Sequence, residues 1–194
     1  MSSDALWYFA RGSGVVSLVL LTVVVALGIG ARSGQTAFVL PRFAVNLIHR
    51  NAALLSVAFL VGHVVALLFD TYANLRVVDL VVPFIGDYSP FWQGLGTVGL
   101  DLILAIVVTS LLRHRIGAKA WRAVHWFAYL CWPIALAHGL GAGSDSGTWW
   151  LWAISLSCVA VVAGAVVWRT SATFGRFPAR MDRRVAPRLL SKTP

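Results

Sequence analysis

Charge is what this chain has least of. Only 12% of its 194 residues are charged, with 7 acidic residues against 16 lysines and arginines. Soluble domains carry about 25% charged residues, and with a mean hydropathy of +0.79 an ordinary soluble domain is excluded. Cysteine is scarce as well. Cys131 and Cys158 lie in separate apolar segments and form neither a CxxC nor a CxxCH, which argues against a thiolate zinc site and against covalent heme attachment. Each reads as a buried structural thiol. No Gly-rich dinucleotide fingerprint follows a predicted strand, and no segment is strand-rich, so nothing marks a soluble catalytic domain.

What the chain does have is long apolar runs. A membrane-crossing helix needs about 20 mostly apolar residues. Five segments reach that length: 14–31, 45–69, 94–113, 120–141 and 148–168. The expected fold class is therefore all-α, a polytopic membrane helix bundle with five transmembrane helices in residues 1–168. A basic cytoplasmic tail, 169–194, follows, with Pro178, Pro187 and Pro194, and is expected to be partly disordered. Arg11 precedes an apolar run ending in Gly28, Gly30 and Ala31, a pattern shared with cleavable signal peptides. The run is long enough to span, and a retained first helix is the favoured reading.

The formal net charge of +9 is unevenly placed. Arg32, Arg42 and Arg50 flank the first connection, Arg113, Arg115, Lys119 and Arg122 crowd the third, and seven basic residues from Arg169 to Lys192 fill the tail. The other side holds Arg11 and Arg76 with Asp4, Asp70, Asp79, Asp87 and Asp145. By the positive-inside rule this gives an N-out, C-in topology in a cell membrane. The basic charge thus reads as a topology signal and not as a nucleic-acid surface, with anionic lipid as a secondary partner. Trp7, Tyr8, Phe91, Trp92, Trp149, Trp150 and Trp152 fall at the outer boundaries, and Trp121, Trp126 and Trp168 near the inner ones, as an interfacial aromatic belt requires. The 70–93 connection, broken by Pro83, Gly86 and Pro90, is the longest external one.

Four histidines sit inside these apolar segments: His49 and His63 in one, His125 and His138 in another. A polar ionisable side chain at membrane depth is costly and usually functional. Both segments run from inside to outside, so His49 meets the depth of His125, and His63 that of His138. At ~1.5 Å rise per residue, a fourteen-residue step separates two levels by about 21 Å. Two imidazoles per level suit the axial positions of one heme iron, and two levels suit two stacked hemes. Arg50, Arg115, Lys119 and Arg122 lie near the inner level and Arg11 near the outer one, placed to neutralise heme propionates. Taken singly, each histidine is as open to hydrogen-bonded packing or a proton relay as to ligation; four at matched depths favour ligation. A zinc site is disfavoured, because each level offers two histidines without cysteine or carboxylate company. His114, between Arg113 and Arg115, reads as solvated.

Angular phase divides the two pairs. At ~100° per residue, the fourteen-residue step from His49 to His63 returns to within about 40° of one face, whereas the thirteen-residue step from His125 to His138 misses by about 140°. Pro133 lies between the latter two and permits a kink or altered winding there.

At these residues the chain resembles the ferric reductase-like transmembrane family, which includes NADPH oxidase membrane domains and metalloreductases. The resemblance covers about residues 6–168 and rests on the paired-histidine spacing. Trp7-Tyr-Phe-Ala-Arg-Gly-Ser-Gly14, His49-Arg50, Trp121-Arg-Ala-Val-His125 and the turn ending Gly143-Ser-Asp145 add to it, the last looking like the bacterial branch. It implies a bundle holding two b-type hemes, with His49 and His125 on the inner one and His63 and His138 on the outer one. The larger family members add a cytosolic flavin and NADPH domain, which this sequence lacks, so flavin is expected only through a separate partner. Where some oxidases place an aromatic between the hemes, this chain has Cys131, with Trp132 next.

The leading expectation is a di-heme electron conduit, the membrane component of a reductase. A separate flavoprotein reductase or a quinol would feed it, and a ferric complex, oxygen or a periplasmic enzyme such as a methionine-sulfoxide reductase would accept. The alternatives are a quinone-reactive cytochrome b subunit, and a non-redox transporter or assembly protein. The scarcity of intramembrane Asp and Glu weighs against a proton-coupled transporter.

Overall fold

Without water to compete for backbone hydrogen bonds, a chain crossing lipid must satisfy them within helices. The computed structural model describes residues 3–31, 41–71, 73, 75–87, 89–143 and 145–170, and among these the regular structure is helical, with no strand. Its helices are α1 (Ser3–Ala31), α2 (Arg42–Leu68), α3 (Pro90–Leu111), α4 (Arg113–His125), α5 (Ala128–Gly141) and α6 (Trp149–Thr170). A short 3-10 turn, Val77–Leu80, interrupts the connection between α2 and α3. Most of the first expected cytoplasmic loop, 32–40, and the tail from 171 lie outside the described residues.

Among the described residues, four helices are long and apolar enough to cross a membrane: Ala5–Gly30, Phe43–Leu68, Pro90–Leu111 and Trp149–Thr170. The chain is a multi-pass membrane protein. The fifth expected span, 120–141, is instead two short helices, α4 of 13 residues and α5 of 14. The expected loop before it is largely helical, broken at Gly117, whose φ of +81° an L side chain rarely adopts.

α1 starts at Ser3 and not at the expected residue 14, so Gly12-Ser-Gly14 lies inside the helix. Sequence signals learned from aqueous helices mislead here. Ser13 is buried and donates its hydroxyl back to Phe9 O at 2.6 Å and Ala10 O at 3.1 Å, so it needs no water. One carboxylate also lies within a span: Asp101 is exposed halfway along α3.

α1 is the hub, packing against α2, α5 and α6, while α3 packs on α4 and α5. Its contact with α2 is antiparallel and keeps one register. Ala10 meets His63, Ser17 meets Ser56, and Val24 meets His49, each step seven residues along α1. A seven-residue repeat drifts by about 20° in a straight helix and is held on one face by left-handed supercoiling. The ~40° deficit over fourteen residues on α2 is therefore absorbed by the coil. At the centre, Ser17 Oγ donates to Ser56 O at 3.0 Å and Ser56 Oγ to Ser17 O at 3.1 Å, both buried.

The buried core joins Val25 and Ile29 of α1 to Trp132 of α5 and Cys158 of α6. The Trp132 indole donates to Thr22 Oγ1 at 2.9 Å, and Thr22 donates in turn to Leu18 O at 2.9 Å. Cys131 is fully buried, its thiol 3.6 Å from Gly99 O. These contacts lock α5 to α1 and α3 between the two histidine levels.

The serine pair gives a stability prediction. Ser56→Ala removes one hydrogen-bonded group and is expected to cost about 0.6 kcal/mol, the average for polar contacts between membrane helices. Ser56→Leu overpacks the seam and is expected to cost roughly 1–3 kcal/mol. Unfolding in mixed micelles at increasing detergent fraction measures both, and equal midpoints for the wild type and Ser56→Leu would contradict the close α1–α2 approach.

Candidate functional site

The four histidines singled out in the sequence meet as two pairs. His49 of α2 faces His125 of α4 with ring centroids 6.4 Å apart and planes at 60°. His63 of α2 faces His138 of α5 at 6.3 Å and 81°. These are the pairings expected from depth.

The thirteen-residue step is corrected at the joint between α4 and α5, upstream of Pro133. There the backbone closes three i→i+3 bonds: Phe127 N to Val124 O at 3.0 Å, Tyr129 N to Trp126 O at 3.1 Å, and Leu130 N to Phe127 O at 3.0 Å. A 3-10 turn winds ~120° per residue, against ~100° in an α-helix, and rises ~2.0 Å instead of ~1.5 Å. Trp126 and Phe127, between the two helices, and the turn beside them are wound this way, which rotates the chain in the direction that closes the ~140° miss and lengthens the step toward that of α2. Pro133 itself lies inside α5.

Three of the histidines are pinned through Nδ1. The Nδ1–H of His63 donates to Ala10 O at 2.6 Å, that of His138 to Trp92 O at 2.8 Å, and that of His49 to Val24 O at 3.0 Å. A carbonyl only accepts, so the proton is on Nδ1 and Nε2 keeps its lone pair. His125 is braced differently. The Trp121 ring lies against it, with centroids 5.0 Å apart and planes at 31°, and the Trp121 indole donates to Ser110 Oγ at 3.2 Å. Sequence reading missed these supports, although the position of Trp121, one turn before His125, offered a signal.

The arginines separate. Arg11 lines the same cavity as His63 and His138, ion-paired to Asp145 and lying over the Trp7 ring at 4.3 Å. Arg50 and Arg122 are exposed, Arg50 next to His49 and Arg122 one turn before His125. The cavity has a volume of about 240 Å³ and is mostly apolar, with Asp70, Gln93 and Thr97 among its polar lining.

The connection between α2 and α3 packs over the cavity through Asp79 and Leu80. Asp79, buried, takes the Arg76 guanidinium at 2.9 and 3.2 Å and the Arg76 backbone N–H at 2.9 Å, while its own carbonyl accepts the Thr97 hydroxyl at 2.7 Å. Hydrogen bonding from Arg76 holds the Asp79 carboxyl below its ordinary range, and Asp79 raises Arg76 in return.

A bundle of long apolar helices that brings four histidines together as two pairs defines an integral membrane protein with two candidate sites. The chain belongs to the ferric reductase-like transmembrane component family, whose sequence model matches residues 13–136. His49, His63 and His125 fall within the match, and His138 lies two residues past its end. No curated protein and no solved structure matches the chain.

The roof carries a pH prediction. The Asp79 carboxyl is depressed in the folded protein, so its contribution is fully present above the ordinary carboxylate value of ~3.9 and is lost as pH falls through the lower folded value. Proteolysis of the 76–87 loop by an acid-active protease should therefore rise steeply below about pH 4. Asp79→Asn should be cleaved readily at every pH and lose the transition; identical acid profiles for the two proteins would refute the anchoring role.

Proposed function

We propose that this chain is a transmembrane electron conduit, passing electrons through two non-covalent b-type hemes as the membrane component of a reductase. His49 and His125 hold the inner heme, and His63 and His138 the outer one. The observation that carries this is the ring separation. An imidazole nitrogen binds a metal at about 2.0 Å, and the ring centre lies about 1.2 Å behind it, so two rings on opposite sides of one metal have centroids about 6.4 Å apart. The pairs stand at 6.4 and 6.3 Å.

The donor set supports the same reading. Each pair of opposed imidazoles would hold a heme iron, which would supply single-electron chemistry there. The Nδ1–H bonds of His49, His63 and His138 aim Nε2 inward and raise its basicity. Apolar faces of α1, α2, α3 and α5 keep water away, and Arg11 outside, with Arg50 and Arg122 inside, offers positive charge to carboxylate substituents.

The bundle crosses five times, the α4–α5 pair serving as one crossing, with the N-terminus outside and the C-terminus inside. Electrons enter from a separate cytosolic flavoprotein reductase or a quinol and leave to an extracytoplasmic acceptor beneath the Arg76–Asp79 roof. An inside-negative potential favours this direction by about 2.3 kcal/mol per 100 mV for a full charge transfer.

Protein purified from heme-replete cells should carry two heme equivalents with a reversible b-type spectrum on dithionite reduction. His49→Ala and His125→Ala should lose one and the same heme, and His63→Ala and His138→Ala the other. Heme-free but folded wild-type protein would defeat the proposal, and loss of the same heme in His49→Ala and His63→Ala would defeat the pairing.

A further inference from the structure

Each carbonyl that accepts from a histidine stands four residues before a glycine: Ala10 before Gly14, Val24 before Gly28, and Trp92 before Gly96. In an α-helix the carbonyl of residue i points along the axis at the N–H of i+4, and the Cβ of i+4 tilts back toward the helix N-terminus, alongside that carbonyl. A side chain at i+4 therefore crowds the lateral approach to the carbonyl's second lone pair. Glycine leaves it open.

The clearances show how much this matters at each site. A Cβ at position 14 would stand 2.9 Å from His63 Nδ1, and one at position 96 would stand 2.6 Å from His138 Cε1 and 2.8 Å from its Nδ1. A Cβ at position 28 would meet His49 Cε1 at 3.5 Å, an ordinary contact. Gly12, on the same helix as Gly14, has nothing within 4 Å of where its Cβ would be. Gly14 and Gly28 also repeat the fourteen-residue step of His49 and His63, and the antiparallel register sets Gly14 against His63 and Gly28 against His49.

We propose that Gly14, Gly96 and Gly28 are positioning residues. By omitting a side chain, each opens the backbone carbonyl to which a heme-binding histidine is pinned, and so fixes that ring's height, rotation and tautomer. The inference rests on the di-heme reading above. Gly14 and Gly96 both serve the outer pair and tolerate no Cβ without movement of the ring; Gly28 serves the inner pair and has room to spare. Partners of this kind, hydrogen-bonded to the far side of a ligating imidazole, typically change metal affinity about 10–100-fold when lost. They also set how strongly the imidazole donates to the metal, and hence its reduction potential.

The test uses the full heme-loaded chain with Gly12→Ala, Gly14→Ala, Gly28→Ala and Gly96→Ala. Optical redox titration and the low-spin electron paramagnetic resonance signals follow each centre separately, and a heme-release assay gives retention. Gly14→Ala and Gly96→Ala should shift the potential and signal of one centre, the one lost in His63→Ala, and loosen its heme about 10–100-fold. Gly28→Ala should move the other centre, by less, and Gly12→Ala neither. Gly14→Ala matching Gly12→Ala, or moving both centres alike, would overturn the inference. If Gly96→Ala does not fold, Gly14 and Gly28 carry the comparison. A wild-type protein without heme would overturn the proposed function itself. One with two hemes and unresponsive glycine variants would overturn the positioning role alone.

Discussion

The structure turns on one constraint: an imidazole set among apolar helices must place its Nδ1 proton, and for His49, His63 and His138 the acceptor is a backbone carbonyl of a neighbouring helix. That requirement draws α1 against α2 at Ala10 and Val24, and α3 against α5 at Trp92. Helix packing and site geometry are therefore the same set of contacts. In an aqueous protein these rings could be oriented by solvent or a mobile side chain. Here they are oriented by the bundle, and α1, which carries none of the four histidines, becomes its hub.

Much of this was legible in the sequence because the membrane imposes simple arithmetic. Length and hydropathy placed α1, α2, α3 and α6 to within a few residues except at the start of α1. Matched depth gave the pairing of His49 with His125 and His63 with His138. What misled was punctuation. Gly12-Ser-Gly14 looked like a helix boundary because glycine and serine favour turns in water. In lipid, where no solvent rewards opening the backbone, the helix runs through them. Pro133 looked like the corrective kink because proline is the visible breaker, yet the joint lies at Trp126–Phe127, where no residue type announces it. The supports behind the rings were hidden for another reason. A carbonyl acceptor is invisible in a sequence; what exposes it is a residue lacking a side chain, and such a residue reads as flexibility until its partner is known.

The two histidine levels are built differently. The His63–His138 pair is held by two short carbonyl bonds and roofed by the Arg76–Asp79 turn, with Arg11 fixed beside it through Asp145 and Trp7. At the His49–His125 pair His49 makes the longer carbonyl bond and His125 rests against Trp121, near a basic and exposed surface. One end thus resembles a closed chamber, and the other an open face.

The tight joint at Trp126–Tyr129 has a wider consequence. α2 covers the interval between levels with fourteen residues of ordinary helix, and the opposite wall covers it with thirteen because a few of them are wound more tightly. A count of residues between ligands is thus a property of the local winding as much as of the site. Along a lineage, one residue could be gained or lost on either wall without disturbing either pair, provided the pitch of a single turn changed with it. What selection can hold fixed is a height and an angle, and the integer in the sequence is free to differ between the two walls of one molecule.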